Sequence, residues 1–290
     1  MRAQVTLTPT ESKKLIAKAV VNSDFVKAAM SEGIVVLHPS SSTYFIVEEL
    51  IGHPPPTAVW VCGVIVPKGA CLSGEASRLD MNRVQKSKPS LEDYSHCWVF
   101  QRGKLSIGIS LGNLFERMGA KDVYIKGVNA LDQQRTVGIL IGNRTEGGTI
   151  GRVISASKQR GFKLVFPVGL EKLIPVSIKA AAKEAIKTKY TYSMGVNCGL
   201  LPCTEGIVIT EMDAIKILSG ASAIPIAAGG LDGAEGAITL VIKGETEEVT
   251  KAIKYVEQSK GARLPKAASP ECEACGSAIC DFPLKGKPWV

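Results

Sequence analysis

Short apolar runs alternate with longer helical patterns through the first two thirds of the chain, and this alternation restricts the fold most. The runs include Ile34–Leu37, Val123–Ile125 and "KLVFPVG" at 163–169, and the amphipathic "VSIKAAAKEAIKTK" follows the last of them. Such alternation is typical of βαβ units, whose parallel strands are covered by helices on both faces. We therefore predict an α/β fold with a Rossmann-like three-layer domain and a mainly parallel sheet over residues 1–190.

The order of elements changes after Tyr190. Residues 191–262 read as strand, helix, strand, strand and helix, ending in the amphipathic "ETEEVTKAIKYVEQSKG". This is the order of the ferredoxin-like split βαβ arrangement without its last strand. We predict a ferredoxin-like α+β lobe over residues 191–262, followed by a cysteine-containing C-terminal tail over residues 263–290.

Charge and hydropathy narrow the functional classes. The formal net charge is +8, but the lysines are scattered along helix patterns instead of forming one basic tract. That distribution favours an ordinary solvated surface over a nucleic-acid binder, and a mild attraction for anionic metabolites is the next interpretation. No apolar run reaches the roughly 18 residues that span a bilayer, and residues 1–10 lack a signal-peptide core. We expect a cytoplasmic protein without membrane or nucleic-acid partners, and the sequence leaves a homo-oligomer open.

A hydroxyl-rich loop follows the first buried strand. It precedes a helical pattern over Tyr44–Leu50, with the third or fourth hydroxyl residue as the expected N-cap. Backbone N–H groups and hydroxyls at a helix start can hold a phosphate or a carboxylate. Ordinary helix capping is the alternative. The residues concerned are Ser40, Ser41, Ser42 and Thr43.

Two polar side chains follow the strand Val123–Ile125. Asn129 and Asp132 lie at its carboxyl end, where open α/β sheets bind their ligands. Asp132 could act as a general base or orient a hydroxyl, whereas Asn129 can only form hydrogen bonds. A simple Asx turn explains both residues equally well.

A third loop, "IGNRTEGGTIGR", precedes the next helical pattern. Gly147 and Gly148 allow a ligand to approach the backbone, Glu146 adds a carboxylate, and Asn143 and Arg144 add hydrogen-bond donors. The spacing is neither that of a dinucleotide-binding loop nor that of a Walker loop. Three such loops, each after a strand, favour one shared pocket.

In their order and spacing these loops resemble the ribose-5-phosphate isomerase, glucosamine-6-phosphate deaminase and CoA-transferase superfamily. The matching stretches are "SEGIVVLHPSSSTYFIVEEL", "IKGVNALD" and "GNRTEGGTIGRVISA". The resemblance implies a small anionic metabolite, a sugar phosphate or a carboxylate or acyl compound, bound between the two lobes. It implies that Ser40–Thr43 hold the anion and that Asp132 and Glu146 transfer protons in an isomerase- or transferase-like reaction.

The motifs also depart from the superfamily pattern. Asn129 stands where the isomerases have an aspartate, and Asn143 or Arg144 stands roughly where they have a lysine. These changes leave open whether the chain is an enzyme. The alternative is a non-catalytic ligand-binding or sensing protein on the same fold.

The segment Ile226–Leu240 is dense in glycine and lies between two predicted strands. Glycine tolerates the positive φ angles of tight turns, so the segment reads as the tip of a hairpin. The alternative is a glycine-lined wall that faces the pocket of the first domain.

Three of the eight cysteines are crowded into the tail, at Cys272, Cys275 and Cys280. A Cys-x2-Cys turn is typical of a zinc site, because two thiolates on one turn can bind the same tetrahedral ion. We predict zinc with Cys203, or else Cys198, as the fourth ligand. An iron–sulfur cluster and plain reduced thiols remain alternatives.

Overall fold

The chain is seen in a computed structural model that describes residues 1–55, 63–72, 94–142, 147–187, 190–267, 271–273, 275 and 280–284. The strands are β1 (Arg2–Leu7), β2 (Ile34–Leu37), β3 (Gly63–Val66), β4 (Gly69–Leu72), β5 (Trp98–Gln101), β6 (Lys104–Ser106), β7 (Val123–Ile125), β8 (Ala130–Leu131), β9 (Val137–Ile141), β10 (Lys163–Pro167), β11 (Gly199–Cys203), β12 (Ile207–Ile209), β13 (Ser222–Ala228) and β14 (Ile238–Lys243). The helices are α1 (Pro9–Asn22), α2 (Asp24–Glu32), α3 (Ser41–Ile51), α4 (Leu111–Arg117), α5 (Gly148–Arg160), α6 (Ile178–Lys187), α7 (Glu211–Ser219) and α8 (Thr246–Ser259).

The central sheet has the strand order β12-β10-β7-β2-β5-β6. Strands β12, β10, β7 and β2 are parallel to their neighbours in this set, and β5 and β6 add an antiparallel hairpin at one edge. The predicted α/β class with a mainly parallel central sheet is confirmed.

Both faces of this sheet are buried. In β2, Val35 and Leu37 pack against helices α1 to α3, whereas Ile34 and Val36 pack against α4 and its surroundings. Successive side chains of a strand point to opposite faces, so an unbroken apolar strand is buried on both. The result is a helix–sheet–helix arrangement.

The C-terminal strands pair differently from the predicted ferredoxin-like lobe. β12 joins the central sheet beside β10, and β1 from the N-terminus pairs antiparallel with β14, so that a separate sheet has the order β1-β14-β13. The order of elements along a sequence does not fix such non-local pairing. The boundaries at residues 190 and 262 stay a prediction.

The apolar run Val137–Ile141 is a strand, as expected, but it lies outside the central sheet. It pairs antiparallel with β8 and β11, and α6 packs against this third sheet through Ile178 and Ala182. Among the described residues, no helix is long and apolar enough to cross a bilayer.

The start of α1 shows how directly local chemistry sets an element. Thr8 is the N-cap, Pro9 takes the first turn, and the Glu11 carboxylate accepts the Thr8 N–H at 2.9 Å. The Glu11 N–H donates in return to the Thr8 hydroxyl at 3.4 Å. This capping box, readable in the sequence, is confirmed.

Candidate functional site

The carboxyl ends of four parallel strands meet at one edge of the central sheet, which we call the carboxyl edge. Beyond the strands, the His38 N–H donates to Ile125 O, and the Val168 N–H donates to Ile209 O, each at 3.0 Å. These bonds hold the loops after β2, β7, β10 and β12 side by side. Open α/β sheets bind their ligands at this edge.

The hydroxyl-rich loop lies at the carboxyl edge, and its N-cap is Ser40 instead of Ser42 or Thr43. The Ser40 hydroxyl accepts the Thr43 N–H at 3.2 Å, and the Thr43 hydroxyl donates to His38 O at 2.6 Å. Ser42 and Thr43 are buried, and Ser41 is half-buried. The hydroxyls of Ser40 and Thr43 therefore stabilise the start of α3, and their role in anion binding stays a prediction.

Gly127 joins this loop to the one that follows β7. A Cβ atom added to Gly127 would lie 2.6 Å from the Ser40 hydroxyl oxygen and 3.9 Å from that of Ser42. Real Cβ atoms essentially never come as close as the first of these distances. A side chain at residue 127 would force Ser40 to shift, so the loops after β2 and β7 lie in close contact, and the pocket that they were predicted to share stays a prediction.

Asn129 and Asp132 are engaged with the backbone. The Asn129 side-chain oxygen accepts the Leu140 N–H at 2.9 Å. The buried Asp132 carboxylate accepts three N–H groups, from Gln134 at 3.0 Å, Thr136 at 2.9 Å and Ile178 at 2.9 Å. Both side chains hold β8, β9 and α6 in place, and the proposed proton transfer by Asp132 stays a prediction.

Only the end of the third predicted loop, from Gly147 onwards, lies within the described residues. Gly147 is the N-cap of α5 and Gly148 is its first residue, with φ of +68° and +62°, which glycine tolerates readily. Asn143, Arg144 and Glu146 lie outside the described residues. Their predicted roles in binding and catalysis are untested.

A group of buried charges, not predicted from the sequence, lies at the carboxyl edge. Its members are Lys13 of α1, Glu171 and Lys172 of a 3₁₀ turn after β10, and Glu211 at the start of α7; we call them the charged cluster. Lys13 Nζ lies 2.6 Å from Glu171 Oε1, and the two side chains are only 9% and 12% exposed. A buried ion pair of this kind is stable only while both partners are present.

Glu211 is almost fully buried beside this pair. Its two carboxylate oxygens accept the Leu170 N–H at 3.1 and 3.0 Å. Burial and the nearby charge of Glu171 raise the pKa of the Glu211 carboxyl to about 7. Hydrogen bonds from Ser12 and from backbone N–H groups act in the opposite direction and lower this pKa, but by less. Glu211 can thus hold or release a proton near neutral pH.

Lys172 points its ammonium inwards although the residue as a whole is half-buried. Its Nζ donates to Val128 O at 2.6 Å, in the loop that contacts Ser40 through Gly127. Burial, together with the charges of Lys13 and Lys126, lowers the pKa of the Lys172 ammonium to about 8, with Glu171 acting in the opposite direction. Lys172 is therefore a second group that titrates close to neutral pH.

One acceptor of the cluster lacks a donor. Among the described residues, Glu171 Oε2 is the buried side-chain oxygen or nitrogen without a hydrogen-bond partner. It lies so close to Gly169 that a Cβ there would clash with it, and a Cβ added to Gly236 of the β13–β14 turn would lie 3.6 Å from the Glu171 Cβ. The glycine-dense turn joins the antiparallel strands β13 and β14, as the hairpin interpretation of Ile226–Leu240 predicted, and the glycine-lined wall stays a prediction.

An open cleft lies elsewhere, at the amino ends of the parallel strands. Its volume is about 560 Å³, and its lining includes Arg102, Arg117, Lys121 and Asp122. The Asp122 carboxylate is engaged there, accepting the Ile34 N–H at 2.6 Å and the Gly119 N–H at 2.7 Å. We favour the carboxyl edge, because the buried pair of Lys13 and Glu171 lies there together with Glu211 and Lys172, whose pKa values are shifted towards neutrality.

The predicted metal ligands separate into two places. Cys272, Cys275 and Cys280 lie in the tail, whereas Cys203 is buried in the core and its thiol donates to Glu205 O at 3.1 Å. Cys198 is half-buried, and its thiol donates to Val196 O. Among the residues that the structure describes, no three His, Cys, Asp or Glu side chains are already arranged around a metal position.

Comparisons with known proteins add little. No protein family matches the chain, and no curated protein does. Among solved structures, it is similar to a D-ribose-5-phosphate isomerase in complex with phospho-erythronic acid, with 12% identity, a TM-score of 0.27, and coverage of 82% of this chain and 81% of that chain. Likeness at this level carries no argument about fold or activity.

Proposed function

We propose that the chain binds a small anionic metabolite bearing hydroxyl groups, a sugar phosphate or a related carboxylate, at the carboxyl edge. The charged cluster carries this proposal. Lys13 and Lys172 supply positive charge, and the buried Glu171 Oε2, which has no donor among the described residues, would accept a hydrogen bond from a hydroxyl of the bound metabolite. The N–H groups at the start of α3 face the same edge and suit a negatively charged group.

The same residues support a proton-transfer reaction. General acids and bases work best with pKa values near the working pH, and Glu211 and Lys172 have values of about 7 and about 8. We propose that Glu211 moves a proton on the bound metabolite, as an isomerase would require. Lys172 would stabilise the negative charge that develops.

A second candidate function is binding without turnover. It is favoured by the engagement of Asp132 and Asn129 with backbone N–H groups, which leaves the two side chains of the "VNALD" loop structural. Ligand that is bound but never converted would select this alternative.

Calorimetric titration with phospho-erythronic acid tests the proposal, because that compound combines a phosphate, a carboxylate and hydroxyls. We expect Lys172→Met to weaken binding tenfold or more, since losing one charged partner of an anion costs at least about 1.4 kcal/mol. Lys121→Met is the matched control, because Lys121 is exposed at the opposite edge of the sheet. Equal affinity of wild type and Lys172→Met, or no binding by either, would contradict the proposal.

A further inference from the structure

The β3–β4 hairpin is docked onto residues 193–196 by backbone hydrogen bonds. The Ala70 N–H donates to Met194 O at 2.9 Å, and the Val196 N–H donates to Ala70 O at 2.7 Å. Cys71 follows Ala70 directly in β4. The docking therefore fixes Cys71 beside the segment that contains Gly195.

Two glycines make this docking unusually close. Gly69 and Gly195 have φ of +121° and +85°. A Cβ on Gly195 would lie 2.1 Å from Ala70 O, and one on Gly69 would lie 2.3 Å from Met194 O. The two backbones approach each other more closely than residues with side chains allow, so both glycines are needed for the hairpin to sit there.

The C-terminal tail is tied to the same segment. The Gly195 N–H donates to Cys280 Sγ at 3.1 Å. Ser193 and Asp281 exchange two further bonds: the Ser193 N–H donates to Asp281 Oδ2 at 3.0 Å, and the Asp281 N–H donates to Ser193 O at 2.9 Å. Since Gly195 is also the bridge partner of Ala70, Cys280 and Cys71 approach the same residue pair.

The Cys-x2-Cys turn is tied to the hairpin as well. Lys68, in the turn between β3 and β4, forms an ion pair with Glu271 at 3.0 Å, and Cys272 comes next in the chain. The Cys275 N–H donates to Cys272 O at 3.4 Å, which closes the turn that carries both thiols. Cys71 and Cys280 thus lie beside residues 194–196, and Cys272 and Cys275 lie in a turn that is tied to the same hairpin.

We propose that Cys71, Cys272, Cys275 and Cys280 bind one zinc ion, which joins the β3–β4 hairpin to the C-terminal tail. Four thiolates satisfy the tetrahedral coordination of a structural zinc site. The Gly195 N–H bond to Cys280 Sγ is the kind of outer contact that orients a metal-bound thiolate. Each thiol that binds the ion loses its proton to solvent, so binding becomes stronger as pH rises.

Electrostatics agree with this grouping. Burial raises the pKa of the Cys71 thiol, and the three charges that raise it further are those of Cys280, Cys272 and Cys275. A divalent cation reverses such mutual repulsion between thiolates.

This site replaces Cys203 by Cys71 as the fourth ligand. Cys203 lies at the far end of β11 from residues 193–196, about 13 Å beyond Gly199 at the usual rise per strand residue. The residue is only 5% exposed and packs in the core. Cys198 is closer, but its thiol donates to Val196 O within its own turn.

Metal analysis of protein purified without chelator tests the site. We expect one zinc per chain in the wild type, loss of zinc in Cys71→Ser and Cys280→Ser, and full zinc in Cys198→Ser and Cys203→Ser. A wild type without zinc, or with iron in its place, would overturn the proposal. So would a Cys71→Ser variant that keeps its zinc.

A footprint on the wild-type chain avoids variants that fail to fold. The protein is alkylated with iodoacetamide before and after zinc is removed with a chelator, and each cysteine is followed by mass spectrometry. Cys71 should become reactive together with Cys272, Cys275 and Cys280 only after the chelator is added. Equal reactivity of Cys71 in both samples would contradict its role as a ligand.

Discussion

The hydroxyl-rich loop and the charged cluster contact the same stretch of chain after β7, yet they differ in how their polar groups are used. In the loop, the hydroxyls of Ser40 and Thr43 bond to nearby backbone and so stabilise their own helix. In the cluster, Lys13, Glu171 and Glu211 come from three separate segments, and one carboxylate oxygen of Glu171 has no partner among the described residues. The sequence of the loop suggested a binding site, but the hydroxyls of Ser40 and Thr43 bond to nearby backbone. The cluster was not predicted, yet it brings together buried charges and a carboxylate oxygen without a partner among the described residues.

The largest expected effect of a single substitution is in the cluster. Lys13→Met leaves Glu171 buried without its cation, which should lower the free energy of unfolding by about 4 kcal/mol. Urea denaturation at neutral pH measures this change. Lys121→Met, which breaks the exposed pair with Glu32, is the control and should cost less than about 1 kcal/mol.

The double variant Lys13→Met/Glu171→Met sharpens this test. Removing both charges leaves neither buried and unpaired, so most of the lost stability should return. A double variant as unstable as Lys13→Met alone would show that the pair is not what stabilises this edge of the sheet.

Asp132→Ala should cost about 3 kcal/mol of stability, because three backbone N–H groups lose their acceptor. Loss of activity in this variant would therefore not identify a catalytic base. Hydrogen exchange can localise the effect, since the N–H groups of Thr136 and Ile178 should lose protection. A variant as stable as the wild type would restore Asp132 as a candidate for proton transfer.

The pH dependence of stability should show the cluster directly. Between pH 4.5 and about 7 the folded chain holds a proton on Glu211 that the unfolded chain releases, so the free energy of unfolding falls as pH rises. Across this range, the free energy of unfolding should fall by a total on the order of 3 kcal/mol. Lys172 acts in the opposite direction, because from about pH 8 to 10.5 the folded chain binds fewer protons than the unfolded chain.

We therefore expect the contribution of these two groups to be least favourable between about pH 7 and 8. Urea denaturation across the pH range measures it. Glu211→Gln keeps an acceptor for the Leu170 N–H and should remove the decline below pH 7. Glu235→Gln, on the exposed β13–β14 turn, should keep the wild-type profile; a Glu211→Gln profile identical to wild type would place the titrating group elsewhere.

The smallest effect is expected in the hydroxyl-rich loop. Ser40→Ala removes an ordinary helix cap and should cost about 1 kcal/mol. Ser110→Ala, which removes the equivalent cap of α4, should cost a similar amount. If Ser40→Ala instead abolishes metabolite binding while Ser110→Ala does not, the loop is itself a binding element.

Local signals in the sequence predicted local structure. The capping box of Thr8 and Glu11 is present, and the strands Ile34–Leu37 and Val123–Ile125 lie parallel in the central sheet. Each of these features depends on residues that are close in sequence, so the spacing of apolar residues and the capping side chains are enough to predict it. The pairing of β1 with β14 depends on residues more than 200 apart, and no local pattern specifies such a partner.

The cluster was missed for the same reason. Lys13, in "SKKLIAKAV", has the spacing of a surface lysine, yet it is 8% exposed because it reaches Glu171, 158 residues away. One signal was available: "GLEK" follows a buried strand, and charged residues at the carboxyl end of a parallel strand are candidates for ligand binding.

Native mass spectrometry of three proteins purified alike tests the central claim most directly: wild type, Lys172→Met and Lys121→Met. If the charged cluster binds the metabolite, a phosphorylated or carboxylated small molecule will remain on the wild type and on Lys121→Met and will be absent from Lys172→Met. The same small molecule on all three proteins, or on none, would contradict the assignment of the carboxyl edge as the binding site.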